Sequence, residues 1–106
     1  MDINTLQSSS QLAYDLKLTK NNLRERVMAR LNVSLNGGYF IVTPELIAFL
    51  NCWTENKIVL EDSYNNPIEV DRMQLLDLAK KRYQEIMNEW AWEWEQQKKV
   101  RKAIDV

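Results

Sequence analysis

Residues 71–106 read DRMQLLDLAKKRYQEIMNEWAWEWEQQKKVRKAIDV. The stretch holds neither glycine nor proline, the two residues that most often interrupt a helix. Leu76, Ala79, Tyr83, Ile86, Met87, Trp90 and Trp94 recur at steps of three and four, which gathers them on one side of a 3.6-residue turn. Asp71, with Gln74 three positions on, has the form of a capping box that opens the helix. The pattern predicts one rod over 71–104, its periodic part being roughly thirty residues, or about 45 Å at 1.5 Å per residue. A core of this size needs less length, so the far end is expected to overhang or to find a partner.

Working back from Asp71, Lys57–Glu61 and Pro67–Val70 are short β-prone runs around the turn residues Ser63–Asn66, and together they predict a β-hairpin. Thr43-Pro44-Glu45 is a helix start. Threonine caps, proline at the first helical position forfeits no hydrogen bond, and glutamate complements the positive end. The short helix over 44–53 is apolar at Leu46, Ile47, Phe49, Leu50 and Trp53, so most of it is expected to be buried. Tyr39–Val42 reads as one short strand. Upstream, Leu12, Leu16, Leu23, Val27, Leu31 and Leu35 form a narrow stripe at steps of four and seven, predicting a helix over 11–36 that ends at Asn36-Gly37-Gly38. Residues 1–10, closing in Ser8-Ser9-Ser10, are read as a flexible arm.

The expectation is thus a single domain, mainly α with minor β. Its two long helices form an antiparallel hairpin, capped over 39–70 by a short helix and a β-hairpin. The length of 106 residues fits one core. With 45% apolar and 27% charged residues and only two glycines and two prolines, the composition is that of a globular or coiled-coil-like chain rich in continuous helix. The formal charge of −1 supplies no global field toward nucleic acid or an anionic membrane. It is unevenly spread, however: residues 51–79 are acidic and 98–102 are almost wholly basic. Cys52 stands alone and is expected as a buried thiol in a reducing compartment. Neither an apolar run of membrane-spanning length nor a secretory leader is visible, so a non-secreted protein without membrane contact is expected.

The absence of histidine removes the commonest general base and metal ligand. Glu85, Glu89 and Glu93 lie four apart, but a bundle metal site also needs ligands from a facing helix. The first helix offers only Asp15 and Glu25 among bases. Ordinary ion pairs, with Lys81 and Arg82 before Glu85, explain the row. No enzyme, metal, cofactor or small-molecule substrate is therefore expected. Lys98, Lys99, Arg101 and Lys102 are held as a secondary, nucleic-acid reading, because cations also suit a helix C-terminus and no aromatic platform lies among them.

Helical spacing divides the three late tryptophans. Trp90 and Trp94 continue the apolar stripe. Trp92 points away from it, with Asn88, Glu89, Glu95 and Gln96 as its neighbours at three and four residues. A large aromatic among polar side chains is the mark of a contact anchor. The expected protein-binding residues are Trp92, Glu89, Gln96 and Lys99, serving self-association or a protein partner. Resting the ring on the stems of Gln96 or Lys99, or folding it against a neighbouring loop, is the plainer alternative.

The runs Val42–Leu50 and Leu60–Ile68 and the Tyr-, Trp- and Lys-rich end resemble small proteins of large contractile-tailed bacteriophages, including those of cyanobacteria. The resemblance spans roughly residues 40–102. It implies a structural or assembly protein located in the virion or the host cytoplasm, and carries over no functional residue. A small regulator of a host enzyme is the alternative, with Glu55, Glu61, Asp62, Glu69 and Asp71 as an acidic lure.

Overall fold

The computed structural model describes residues 3–104 and the side chains of residues 10–100. It is mainly helical, with three helices and two small antiparallel hairpins in the order α1 (Ile3–Met28), β1 (Asn32–Leu35), β2 (Gly38–Ile41), α2 (Pro44–Cys52), β3 (Lys57–Glu61), β4 (Pro67–Asp71) and α3 (Arg72–Ile104). The long last helix is unbroken from Arg72 to Ile104. Its first turn is capped as expected, the Gln74 N–H donating to the Asp71 carboxylate at 2.9 Å. Thr43 likewise accepts from the Leu46 N–H at 3.0 Å, with Pro44 at the first turn of α2. β3 and β4 pair in the register Lys57↔Asp71 to Glu61↔Pro67.

The first third of the chain differs from expectation. α1 starts at Ile3, inside the segment read as an arm, and stops at Met28 rather than near residue 36. Asn32–Leu35 is instead a strand that pairs with Gly38–Ile41 from Asn32↔Ile41 to Leu35↔Gly38. The cause is local. Asn36 and Gly37 both take positive φ, 52° and 81°, and this two-residue loop has the twist that joins antiparallel strands. At Gly38 the constraint is space, since a Cβ there would lie 2.9 Å from both Ile68 Cγ1 and Phe40 Cε2.

Two adjoining clusters make the core. Phe40, Leu50, Ile58, Val70, Leu75 and Leu76 bind the hairpins and α2 to the start of α3. Leu23, Val27, Leu31, Val42, Ala79 and Ile86 bind α1 to its middle, with Met87 and Trp90 packed alongside. Val33 and Ile47 touch both clusters. Burial of such side chains contributes on the order of 1.5–3 kcal/mol each, so the apolar seam holds the fold. Exposed ion pairs, at roughly 0–1 kcal/mol, do not.

Arg72 and Arg82 fasten the joints. The Arg72 guanidinium donates to the Leu50 carbonyl at 2.8 Å and the Glu55 carbonyl at 2.9 Å, closing the end of α2. Arg82 donates to the Arg30 carbonyl, where α1 gives way to β1. The result is a rod, 66 × 24 × 21 Å, with the hairpins and α2 packed toward the N-terminal half of α3.

Candidate protein-contact surfaces

Along α3, Ile86 is fully buried while Trp90 and Trp94 are half-buried against α1. Trp92 stands out on the opposite side with 65% of its surface exposed. The division of the tryptophans expected from spacing is therefore present, with the indole of Trp92 presented to solvent rather than folded under a loop.

Its expected companions behave differently from one another. Gln96 is half-buried and Lys99 exposed. Glu89 does not belong to the Trp92 face. It pairs with Arg30, while Glu93 pairs with Arg26 at 3.3 Å, so both acids are turned toward α1. The helical arc explains this, since Glu89 and Glu93 flank the apolar stripe on the side where α1 presents its arginines. Glu85 pairs within its own helix with Arg82. Among the described residues no cluster of three or more His, Cys, Asp or Glu side chains is arranged to hold a metal ion.

The basic end is also differently arranged. Lys98 pairs with Glu95 at 3.2 Å, and its ammonium lies 5.4 Å from the centre of the Trp94 ring. Lys20 of α1 lies over the same ring at 5.2 Å. An aromatic platform does therefore exist, supplied by Trp94 one turn before Lys98, and a cation over an indole face is held there by the ring quadrupole. The side chains of Arg101 and Lys102 lie outside the described residues. Beside this platform runs a groove of about 440 Å³ between α1 and α3. Its floor is Met87, Trp90, Ala91 and Trp94, and its other wall carries Lys20 and Arg24.

A second aromatic surface lies on α2, where burial was expected. Only Leu50 of that helix is fully buried. Phe49 and Trp53 are 41% and 46% exposed and stack with ring centres 5.3 Å apart. They lie beside exposed Val59, with Glu55, Lys57 and Glu69 around them. Leu46, Ile47 and Leu50 span an arc of about 100° at one residue per 100°. Phe49 falls outside that arc, which is the signal that a nine-residue helix packed along one arc leaves it uncovered. Cys52 is exposed as well, not a buried thiol.

Asp62, expected in an acidic lure, is buried instead. One carboxylate oxygen accepts from the N–H groups of Asn66 and Tyr64, each at 3.0 Å, and the other accepts from the Tyr39 N–H at 3.2 Å. These bonds tie the β3–β4 loop to β2. The N–H of Asn66 foremost, then those of Tyr39 and Tyr64, hold its carboxyl below the ordinary carboxylate range against the opposing effect of desolvation. The acids left exposed are Glu55, Glu61, Glu69 and Asp71.

Among the described residues no helix is long and apolar enough to cross a membrane. No family model matches the chain, and no curated protein or solved structure is significantly similar to it.

Proposed function

We infer that this chain is a non-enzymatic structural or assembly protein of a tailed-phage particle, acting through protein contacts made by the outer face of α3. The observation that carries the reading is Trp92, a large aromatic 65% exposed on an otherwise polar helix face. Covering an indole of this size contributes roughly 2 kcal/mol or more to a contact. In this reading α1 and α3 are the arms of an antiparallel helical hairpin. The pairs Arg26–Glu93 and Arg30–Glu89 support it, because the numbers rise along α1 and the turn after it as they fall along α3. Trp90 and Trp94 serve the hairpin, while Trp92 with Gln96 and Lys99 serves the partner. The tailed-phage setting rests on the resemblance of residues 40–102.

The test is co-sedimentation of the full chain with assembled particles, beside Trp92→Ala of equal thermal stability. The wild type is expected in the particle fraction and the variant depleted at least about tenfold, the effect of losing one contact anchor. Undiminished association of the variant refutes the role of this face. A chain that stays outside particles and holds one host protein favours the regulatory reading.

A further inference from the structure

Two surfaces not used by Trp92 match each other. The first is the aromatic pair Phe49 and Trp53 with Val59, exposed at the end of the molecule formed by α2 and the β3–β4 hairpin. That end is acidic: over residues 51–71 the exposed acids are Glu55, Glu61, Glu69 and Asp71, and the only base is Lys57. The second is the groove between α1 and α3, whose floor is tryptophan and methionine, whose charged lining residues are Lys20 and Arg24, and which no acid lines. The basic character is local to that wall: Glu89 and Glu93, on the same stretch of α3, are taken up in pairs with Arg30 and Arg26, which leaves Lys20 and Arg24 as the charged lining of the groove.

The two surfaces cannot meet within one molecule. The aromatic pair lies beside Ile58, a member of the cluster at Leu75 and Leu76, whereas the groove opens at Trp90. The separation along α3 is about fifteen residues, or about 22 Å at the helical rise. An acid-rimmed aromatic ridge and a base-walled apolar groove complement each other in both charge and chemistry.

We propose that the Phe49–Trp53 ridge of one copy seats in the Lys20/Arg24-walled groove of a second copy, a head-to-tail contact independent of Trp92. A docked pair still offers one free ridge, on the copy whose groove is filled, and one free groove, along the middle of α3 in the other copy. Such a heterologous contact propagates into a chain, or closes into a ring if the rotation permits.

Sedimentation of the full chain over a range of concentrations tests the inference. The wild type is expected to grow in mass with concentration. This growth should weaken as ionic strength rises toward 1 M, where the screening length falls to about 3 Å. A ridge variant, Phe49→Ser with Trp53→Ser, and a groove variant, Lys20→Glu with Arg24→Glu, are each expected to weaken association at least about tenfold. All the altered side chains are exposed, and retained folding is checked by an unchanged far-UV spectrum and melting profile.

The decisive arm is the mixture. A ridge variant still has a groove and a groove variant still has a ridge, so together they form a one-to-one complex that grows no further. A mixture that stays monomeric overturns the proposal, as does a wild type that is monomeric at every concentration. Trp92→Ala is expected to associate as the wild type does. If that single change alone abolishes self-association, the contact is made by the outer face of α3 and the head-to-tail inference fails, while the proposed function stands.

Discussion

Arg72→Met removes the fastening between α2 and α3 while keeping an unbranched stem and a good helix former. The guanidinium donates to two carbonyls, of Leu50 at 2.8 Å and Glu55 at 2.9 Å. Leu50 lies in the last turn of α2, where carbonyls have no partner within the helix, and its side chain is fully buried. Glu55 is exposed, so water can replace its bond at small loss. Counting the Leu50 bond alone, a hydrogen bond from a charged donor contributes about 1.5–3 kcal/mol. Because Arg72 is half-buried, the expected loss is about 2 kcal/mol. In urea, with a slope near 2 kcal/mol/M for a domain of this size, the midpoint should fall by about 1 M at unchanged slope. Amide exchange at the end of α2 should accelerate, with the middle of α3 least affected. A midpoint shift under about 0.25 M would show that water replaces both bonds and that Arg72 is not what closes α2.

Gly38→Ala is expected to cost about 1–3 kcal/mol, because the added methyl meets Ile68 and Phe40 at 2.9 Å. Gly37→Ala, which meets nothing within 4 Å, should cost about 1–2 kcal/mol through its φ of 81° alone. Thermal melts of the two would separate crowding from backbone strain. Asp62→Asn should lower stability in a pH-dependent way. The folded carboxyl titrates below its unfolded value of about 3.9, so its contribution is complete above that value and is lost as the pH falls through the lower folded one. The stability gap between wild type and variant should hold from neutral pH to about 4 and close below it. A gap that stays constant to lower pH would show that the charge on Asp62 plays no part.

How much of this was readable beforehand depends on where two patterns compete. In α3 every signal agrees: an apolar stripe, a cap at Asp71 and no helix breaker, and the helix forms as read. In residues 31–35 two periods fit the same residues. Leu31 and Leu35 continue a helical stripe, yet Leu31, Val33 and Leu35 also alternate as a strand does. The dipeptide Asn36-Gly37 favours the second reading, since both residues tolerate positive φ, and the hairpin it closes ends α1 early. The burial of Phe49, Trp53 and Cys52 was overestimated for a different reason. Apolar content says that a helix packs, not that it packs on every side, and α2 buries only the arc of Leu46, Ile47 and Leu50 against α3 and the hairpins. Glu89 illustrates what periodicity on one helix cannot reveal: its pairing with Arg30, like the seating of Lys20 over the Trp94 ring, depends on how α1 lies beside α3. Asp62 was misplaced for a related reason, because its third donor, Tyr39, comes from a different hairpin.

The division of the tryptophans on α3 underlies the proposed contact face, and paired urea denaturation of Trp90→Ala and Trp92→Ala tests it most directly. Trp90 packs against the Leu23–Ile86 cluster, so its truncation should cost about 2 kcal/mol or more. The exposed Trp92 should change stability by less than about 0.5 kcal/mol. Equal losses from the two variants, or a larger loss from Trp92→Ala, would place indole 92 in the interior and contradict the assignment of that face to a partner.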